Sequence, residues 1–336
     1  MPFKPFLLFA GTLFLTFLGL VFVTFMIGRV VPIDPVLAAV GDRAPADVYE
    51  QTRIEMGLHL PLWQQFFIYV RDVLSGDFGK SVLTAQPVLV DILRVFPATL
   101  ELATVAVLIG LVVGIPSGVV AAVYHGRWPD HLVRFFGLVG YSMPVFWLGL
   151  LGLLLFYAKL DWVPGPGRLD IFYEDLVPAV TGVILIDAAL AGDWEVWGNA
   201  LSHLILPASI LGYYSLAYIS RMTRSLMLEQ LSQEYVTTAR AKGLSETRVI
   251  WVHALGNTAV PLITVVALSY ATLLEGSVLT ETVFAWPGLG LYITNSLLNA
   301  DMNAVLGGTI VVGVVFIGLN LLSDVLYRTL DPRART

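Results

Sequence analysis

The chain of 336 residues contains no cysteine, which excludes disulfide bonds and thiolate metal ligands. Charge is scarce too. Only 13% of residues are Asp, Glu, Lys or Arg, against roughly a quarter in an ordinary soluble domain. Too little polar surface is left to keep such a chain in water. The five histidines (His59, His125, His131, His203 and His253) are scattered and form no HExxH pair. There is no GxSxG turn for a serine nucleophile, and no Ser/His/Asp set follows from spacing. The stretch "GDFGKS" at 76–81 imitates a nucleotide loop, but a Walker A loop needs a glycine where this chain has Leu74. No catalytic or metal site is therefore expected, and the net charge of −6 is too small and too unevenly placed to suggest nucleic acid.

What the chain has in excess is apolar length. It is 57% hydrophobic, with a mean hydropathy of +0.79. A helix needs about 20 apolar residues to cross a bilayer, and six stretches qualify, near 7–27, 97–122, 135–158, 204–220, 257–280 and 304–327. The first is too long for a signal-peptide core and lacks an A-x-A cleavage site, so it is expected to stay as an anchor. Residues 176–191 are interrupted by Pro178 and Asp187 and are expected to form a packed outer segment. The predicted class is an all-α integral membrane protein with six transmembrane helices.

Charge placement orients the spans. Basic residues predominate at the amino terminus, between spans two and three, between spans four and five, and in the tail. Acidic residues predominate in 159–203 and 281–303. Loop 28–96 carries many of both signs, but long loops follow the positive-inside rule poorly. Both termini and the segment "EYVTTARAKGLS" (234–245) are thus expected in the cytoplasm, with 28–96 and 159–203 outside.

That polar segment predicts a helix over 231–244. Gly243 stands where a left-handed cap would end it. Glu234 near its start and Arg240 and Lys242 near its end suit the helix macrodipole. Leu231, Tyr235 and Ala239 form a narrow apolar stripe. So short a helix needs something to dock against. It could be a plain connector or an interfacial helix on lipid headgroups. Its thin, small-residue face with a protruding tyrosine suits a groove on another protein better.

Three carboxylates fall within spans. Glu101 follows Pro97, which suggests a first helical turn where the macrodipole favours an acid. Asp324 stands four residues before Arg328, suggesting a local ion pair. Glu275 continues a small-residue stripe of Thr264, Ala267 and Ala271, which marks a helix contact or a cavity wall. Glu275 is read either as lining a translocation path, with Ala271 and Ala267 beside it, or as pairing with a group on a partner subunit.

In its motifs the chain resembles the membrane permeases of bacterial ABC importers for dipeptides and oligopeptides. The resemblance rests on "RMTRSLMLEQL" (221–231) followed by "EYVTTARAKGLSETRVIWVHAL", on "LTETVFAWPGLG" (279–290), "YSMPVFWLG" (141–149), "FPATLEL" (96–102), "GDFGKS" and the tail "DVLYRTLDPR", all in order. The outer segment containing "TGVILIDAAL" is most similar to the dipeptide permease B-type subunit.

The resemblance implies a type I ABC importer permease fold with a cytoplasmic coupling helix. Residues 1–96 would be the anchor plus a long periplasmic segment. Residues 97–336 would be a five-helix core with a periplasmic insertion at about 159–203 and a coupling loop at about 221–256. In the broad importer pattern EAAxxxG, Thr237 and Thr238 take the first two positions, Ala239 the second alanine and Gly243 the glycine. Glu234, Tyr235, Arg240, Lys242 and Leu244 complete the implied ATPase-coupling set. Gly256 departs from the arginine usual in the peptide branch.

The implied partners are a second homologous permease, two cytoplasmic ATPase subunits and a periplasmic substrate-binding protein. ATP and Mg would be bound by the ATPases, with no cofactor in this chain. The implied place is the bacterial inner membrane. Dipeptides are the first substrate choice, with glutathione, haem, nickel complexes and peptide antibiotics as alternatives. A secondary transporter would show more spans and internal repeats, and a membrane-embedded enzyme would need a nucleophile or metal set that is absent here.

Overall fold

A computed structural model describes residues 3–30, 35–41 and 43–330. Among the described residues the regular structure is helical, without a strand. In chain order the helices are α1 (Phe3–Val30), α2 (Pro35–Val40), α3 (Ala46–Glu55), α4 (Leu62–Ser75), α5 (Val88–Val123), α6 (Trp128–Ser142) and α7 (Val145–Gly152). They continue with α8 (Ile184–Ala191), α9 (Trp194–Leu231), α10 (Glu234–Ala241), α11 (Glu246–Arg248), α12 (Leu255–Val283), α13 (Leu289–Leu298) and α14 (Met302–Leu330). Short π-helical turns extend α7 over Leu153–Lys159 and join α11 to α12 over Val249–Ala254.

Five continuous runs are long and apolar enough to span a membrane: Gly11–Arg29, α5, α9, Glu246–Val283 and Met302–Ser323. The expected third span is not one rod. It consists of α6 and the α7 run, which meet at a bend of 99°. Pro144 is the cause. A residue before proline is pushed out of the helical region, and Met143 is extended, with φ −87° and ψ 134°. The proline ring also removes an N–H from the ladder.

α5 begins at Val88, well before the predicted start, and holds Pro97 inside it. Glu101 is therefore not in a first turn, and the macrodipole does not account for it. The expected Asp324–Arg328 pair lies outside the side chains described.

The chain forms two compact units. One comprises the residues up to Phe96 together with Gly288–Ile317, and the other comprises Pro97–Pro287 with the residues from Gly318 on. In the first, α4 lies against α1 through aromatic rings. Phe66 is 5.3 Å from Phe25 and 5.7 Å from Phe22, and Tyr69 donates to the Thr24 hydroxyl at 3.2 Å. Val21, Val73 and Ile310 close that core. "GDFGKS" is a fastened turn rather than a phosphate cradle. Ser81 donates to buried Asp301 at 2.6 Å, and Gly79, with φ +78°, accommodates Asn303 at close range.

In the second unit α5 and α9 meet through glycines. Gly110, Gly114 and Gly118 recur at every fourth position on α5; a side chain at Gly110 or Gly118 would collide with α9, and one at Gly114 would crowd Ile219. A Cβ on Gly118 would stand 2.6 Å from the Ser220 carbonyl oxygen, and one on Gly110 would stand 2.3 Å from the Ser215 hydroxyl. Small residues at this spacing let helix backbones touch, which is how helices associate where water offers no hydrophobic drive.

Candidate functional site

The polar segment folds as α10, but the helix starts at Glu234 rather than at Leu231. A turn at Ser232 and Gln233 separates it from α9, whose last residue is Leu231. The stripe expected from Leu231 through Tyr235 to Ala239 is thus divided between two helices. Ser232 and Gln233 donate back to the Glu229 carbonyl and fold the chain at this point.

Its carboxyl end is a Schellman motif. Gly243 has φ +79°, its N–H donates to the Arg240 carbonyl at 2.9 Å, and the Leu244 N–H donates to the Ala239 carbonyl at 3.3 Å. Leu244 folds back into a small core of Val236, Ala239 and Val249, with Tyr235 at its edge. Ala239, expected to face a groove on a partner, is mostly buried against Val236, Val249 and Leu244 of its own chain. Val236, which spacing alone did not single out, is fully buried and is the main anchor.

The outward face consists of Glu234, Thr237, Thr238, Arg240, Lys242 and Gly243. Thr238 bonds back to the Glu234 carbonyl at 3.0 Å, and Arg240 forms a forked pair with Glu246 at 2.8 and 3.2 Å. That pair is exposed and contributes little stability, but it holds the loop after Gly243 in one geometry. Tyr235 ties the helix to α9 by donating to Gln230 at 3.0 Å.

α10 is seated on rigid structure. Val249 opens the π-helical turn, and Ile250, Ala254 and Leu255 pack with Val119 and Ala122 of α5 and with Met227, Leu228 and Leu231 of α9. Close by along α9, Arg224 grips Asp130 at the start of α6 at 2.6 and 2.9 Å. The buried Asp130 carboxylate also accepts the Gly126 N–H at 3.0 Å. α10 is thus connected to α5, α9 and α12 through packed side chains, and α9 is ion-paired to α6.

The far end of the same unit holds a second polar cluster. Arg168 donates to buried Glu101 at 2.6 and 3.0 Å and to the Gly182 carbonyl at 2.8 Å, and Glu101 also accepts the Leu185 N–H at 3.0 Å. The guanidinium lies 5.8 Å from the Trp286 ring centroid, and Trp286 donates to the Ala98 carbonyl at 2.9 Å. Burial alone would raise the Asp187 carboxyl. Donors from Thr181 and Gly182 outweigh it and hold the group below the ordinary carboxylate range. Segment 159–203 is thereby fastened to α5 and to the "TETVFAW" turn. Spacing gave no sign of the Arg168–Glu101 pair, because its partners are far apart in the chain.

On α12, Ala271 is buried and Ala267 half-buried, whereas Glu275 emerges exposed one turn later. Glu275 makes no ion pair or hydrogen bond among the described residues. Also among the described residues, no group of His, Cys, Asp and Glu is placed to hold a metal ion.

Residues 114–336 match the family model of the binding-protein-dependent transport system inner membrane component, and residues 6–103 match the model for the N-terminal part of that system's membrane component. The chain is 47% identical over 309 residues to the probable D,D-dipeptide transport system permease protein DdpB of Escherichia coli, covering 92% of this chain and 91% of that one. It is 44% identical over 326 residues to the di/tripeptide transport system permease protein DppB of Pseudomonas aeruginosa, with 97% and 96% covered. The dipeptide transport system permease protein DppB of Escherichia coli is 43% identical over 314 residues, with 93% and 92% covered. Among solved structures the chain is similar in fold to the MetNI methionine ABC transporter in inward-facing form. The TM-score is 0.50 at 17% identity, over 70% of this chain and 93% of that chain.

Proposed function

The chain belongs to the family of binding-protein-dependent transport system inner membrane components, and from that premise we propose that it forms half of a translocation path that carries dipeptides across the inner membrane. It is an all-α permease of the type I ABC importer kind, a multi-pass membrane protein and a transport subunit rather than an enzyme. Its proposed partners are a second homologous permease, two ATPases that bind ATP and Mg, and a soluble substrate-binding protein. Residues 1–96 are proposed as anchor and outer segment, and 97–336 as the permease core. Both termini and α10 are assigned to the cytoplasmic side, in keeping with the basic surplus there.

The observation that carries this reading is the construction of α10. It is a short helix with a polar outward face, stopped by Gly243 and packed on side chains that continue into α5, α9 and α12. Such a helix can pass on the motion of a closing ATPase without binding nucleotide itself. Glu234, Thr237, Thr238 and Lys242 are its proposed contact face, and Val236, Ala239 and Leu244 hold it in place.

The test is co-purification of the tagged chain from cells that express its whole transport system. A stoichiometric ATPase, lost when α10 is replaced by a glycine-serine linker, is the expected result. Retention of the ATPase by the linker variant overturns the assignment.

A further inference from the structure

The first unit contains a cavity of about 930 Å³ that the transport reading does not use. Arg29, Gln65, Tyr69, Lys80, Asn303 and Leu306 are among its walls. Its depth follows from the helices that frame it. Arg29 closes the apolar run of α1, and Met302 opens that of α14, so the cavity lies at one boundary of the bilayer.

The charges in the wall balance, with Arg29, Arg71 and Lys80 against Glu55, Asp72 and Asp77. Arg71 and Asp72 pair with each other at 2.7 Å. Arg29 and Lys80 have no ion-pair partner among the described residues, and the Arg29 guanidinium stands over the Phe25 ring, at 5.3 Å, with the Tyr69 hydroxyl also in its surroundings. Asp77 accepts one backbone N–H, from Gly79, and Glu55 accepts from Gln51. Two cations and two carboxylates therefore face one space without neutralising each other. Gln65 in the same wall is more than nine-tenths buried. Its amide nitrogen donates to the Leu60 carbonyl at 2.7 Å, but its Oε1 accepts nothing.

The surroundings point to lipid. α4 packs Phe66, Tyr69 and Val73 toward α1 and leaves Trp63, Phe67 and Leu74 exposed, as suits a helix at a membrane interface. On α1, Met26 and Phe22 are exposed on the face that carries Arg29, one and two turns away from it toward the middle of the bilayer.

We propose that the cavity holds the headgroup of a zwitterionic phospholipid. The phosphate lies between Arg29 and Lys80, the ammonium faces Asp77 and Glu55, and the acyl chains descend along Phe22, Met26 and Phe67. The balanced wall favours a zwitterion over a lipid with net negative charge. The proposal rests on the membrane placement of α1 and α14 and is independent of the transported solute.

The complete transporter, purified in detergent and stripped of lipid, is incubated with phosphatidylethanolamine, and retained lipid is counted by native mass spectrometry. Wild type should retain phosphatidylethanolamine about tenfold better than Arg29→Ala or Lys80→Ala, and about tenfold better than it retains phosphatidylglycerol. Lys80 is exposed and, among the described residues, its side chain makes no hydrogen bond or ion pair, so its removal should leave folding intact. Equal retention by wild type and Lys80→Ala, or of the two lipids, overturns the proposal. Displacement by inorganic phosphate at matched concentration would instead make this a site for a free anion. Displacement by alanyl-alanine would make it a vestibule for peptide. Either result overturns the lipid assignment.

Discussion

Gly243 carries φ +79°, and nothing lies within 4 Å of where its Cβ would stand. A side chain at this position therefore costs backbone strain alone. Gly243→Val should cost about 1 kcal/mol or more locally and reduce uptake relative to ATP hydrolysis, with membrane insertion intact. Gly243→Asn, which tolerates the left-handed region, should retain most activity. Uptake measured per ATP hydrolysed in the whole assembly checks both, and unchanged coupling in the valine variant would contradict the assignment.

Ala239 behaves differently because it is buried. Ala239→Asp places a carboxylate among Val236, Val249 and Leu244 and should make loop 232–248 sensitive to protease even without the ATPase. Protection equal to wild type would mean that the side chain has another way out.

Arg168 and Glu101 form a buried pair, and removing one partner of such a pair costs about 3–5 kcal/mol. Arg168→Met should lower the thermal midpoint of the purified assembly, and adding Glu101→Leu should restore part of the loss. A midpoint unchanged in the single variant would show that the pair contributes nothing. Glu275, exposed on α12 and proposed to line the path, predicts a selective defect. Glu275→Gln should impair uptake of dipeptides with a free amine more than of blocked ones. Equal impairment with a less stable assembly would instead assign Glu275 to subunit contact.

At the scale of elements, the α5–α9 contact depends on the absence of side chains. Gly118→Val would drive a branched side chain into the Ser220 carbonyl and the Thr223 side chain. Overpacking of this kind costs typically about 1–3 kcal/mol, so expression of the assembled transporter should fall. Gly276→Ala on α12, where nothing lies within 4 Å, should be tolerated. Helix propensity favours both replacements of glycine, so similar losses for both would mean that close packing against α9 is not what Gly118 provides. The apolar runs of these helices were legible because hydropathy sums over neighbours in sequence. The bend at Pro144 was not, since a proline within an apolar run, like Pro97 or Pro207, can also be absorbed by a continuous helix.

For the whole molecule, the assigned orientation predicts that a reporter active only outside the cytoplasm, inserted near Asp170, is active. A reporter active only in the cytoplasm should be silent there and active after the last helix. The reverse pattern would invert every loop assignment, including that of α10.

The membrane class, the long apolar helices, the motif order that marks the family and the glycine that ends α10 can all be read from the sequence alone. Each is a local property, written in runs of neighbouring residues or in one residue's backbone freedom. Which polar groups are partnered follows from the tertiary fold. Glu101 meets Arg168 from 67 positions away and Asp130 meets Arg224 from 94, whereas Glu275 meets nothing among the described residues. It also decided that Ala239 faces inward and that Arg29 and Lys80 share one cavity. Pairing and burial depend on how distant segments fold together, and no local pattern encodes that distance.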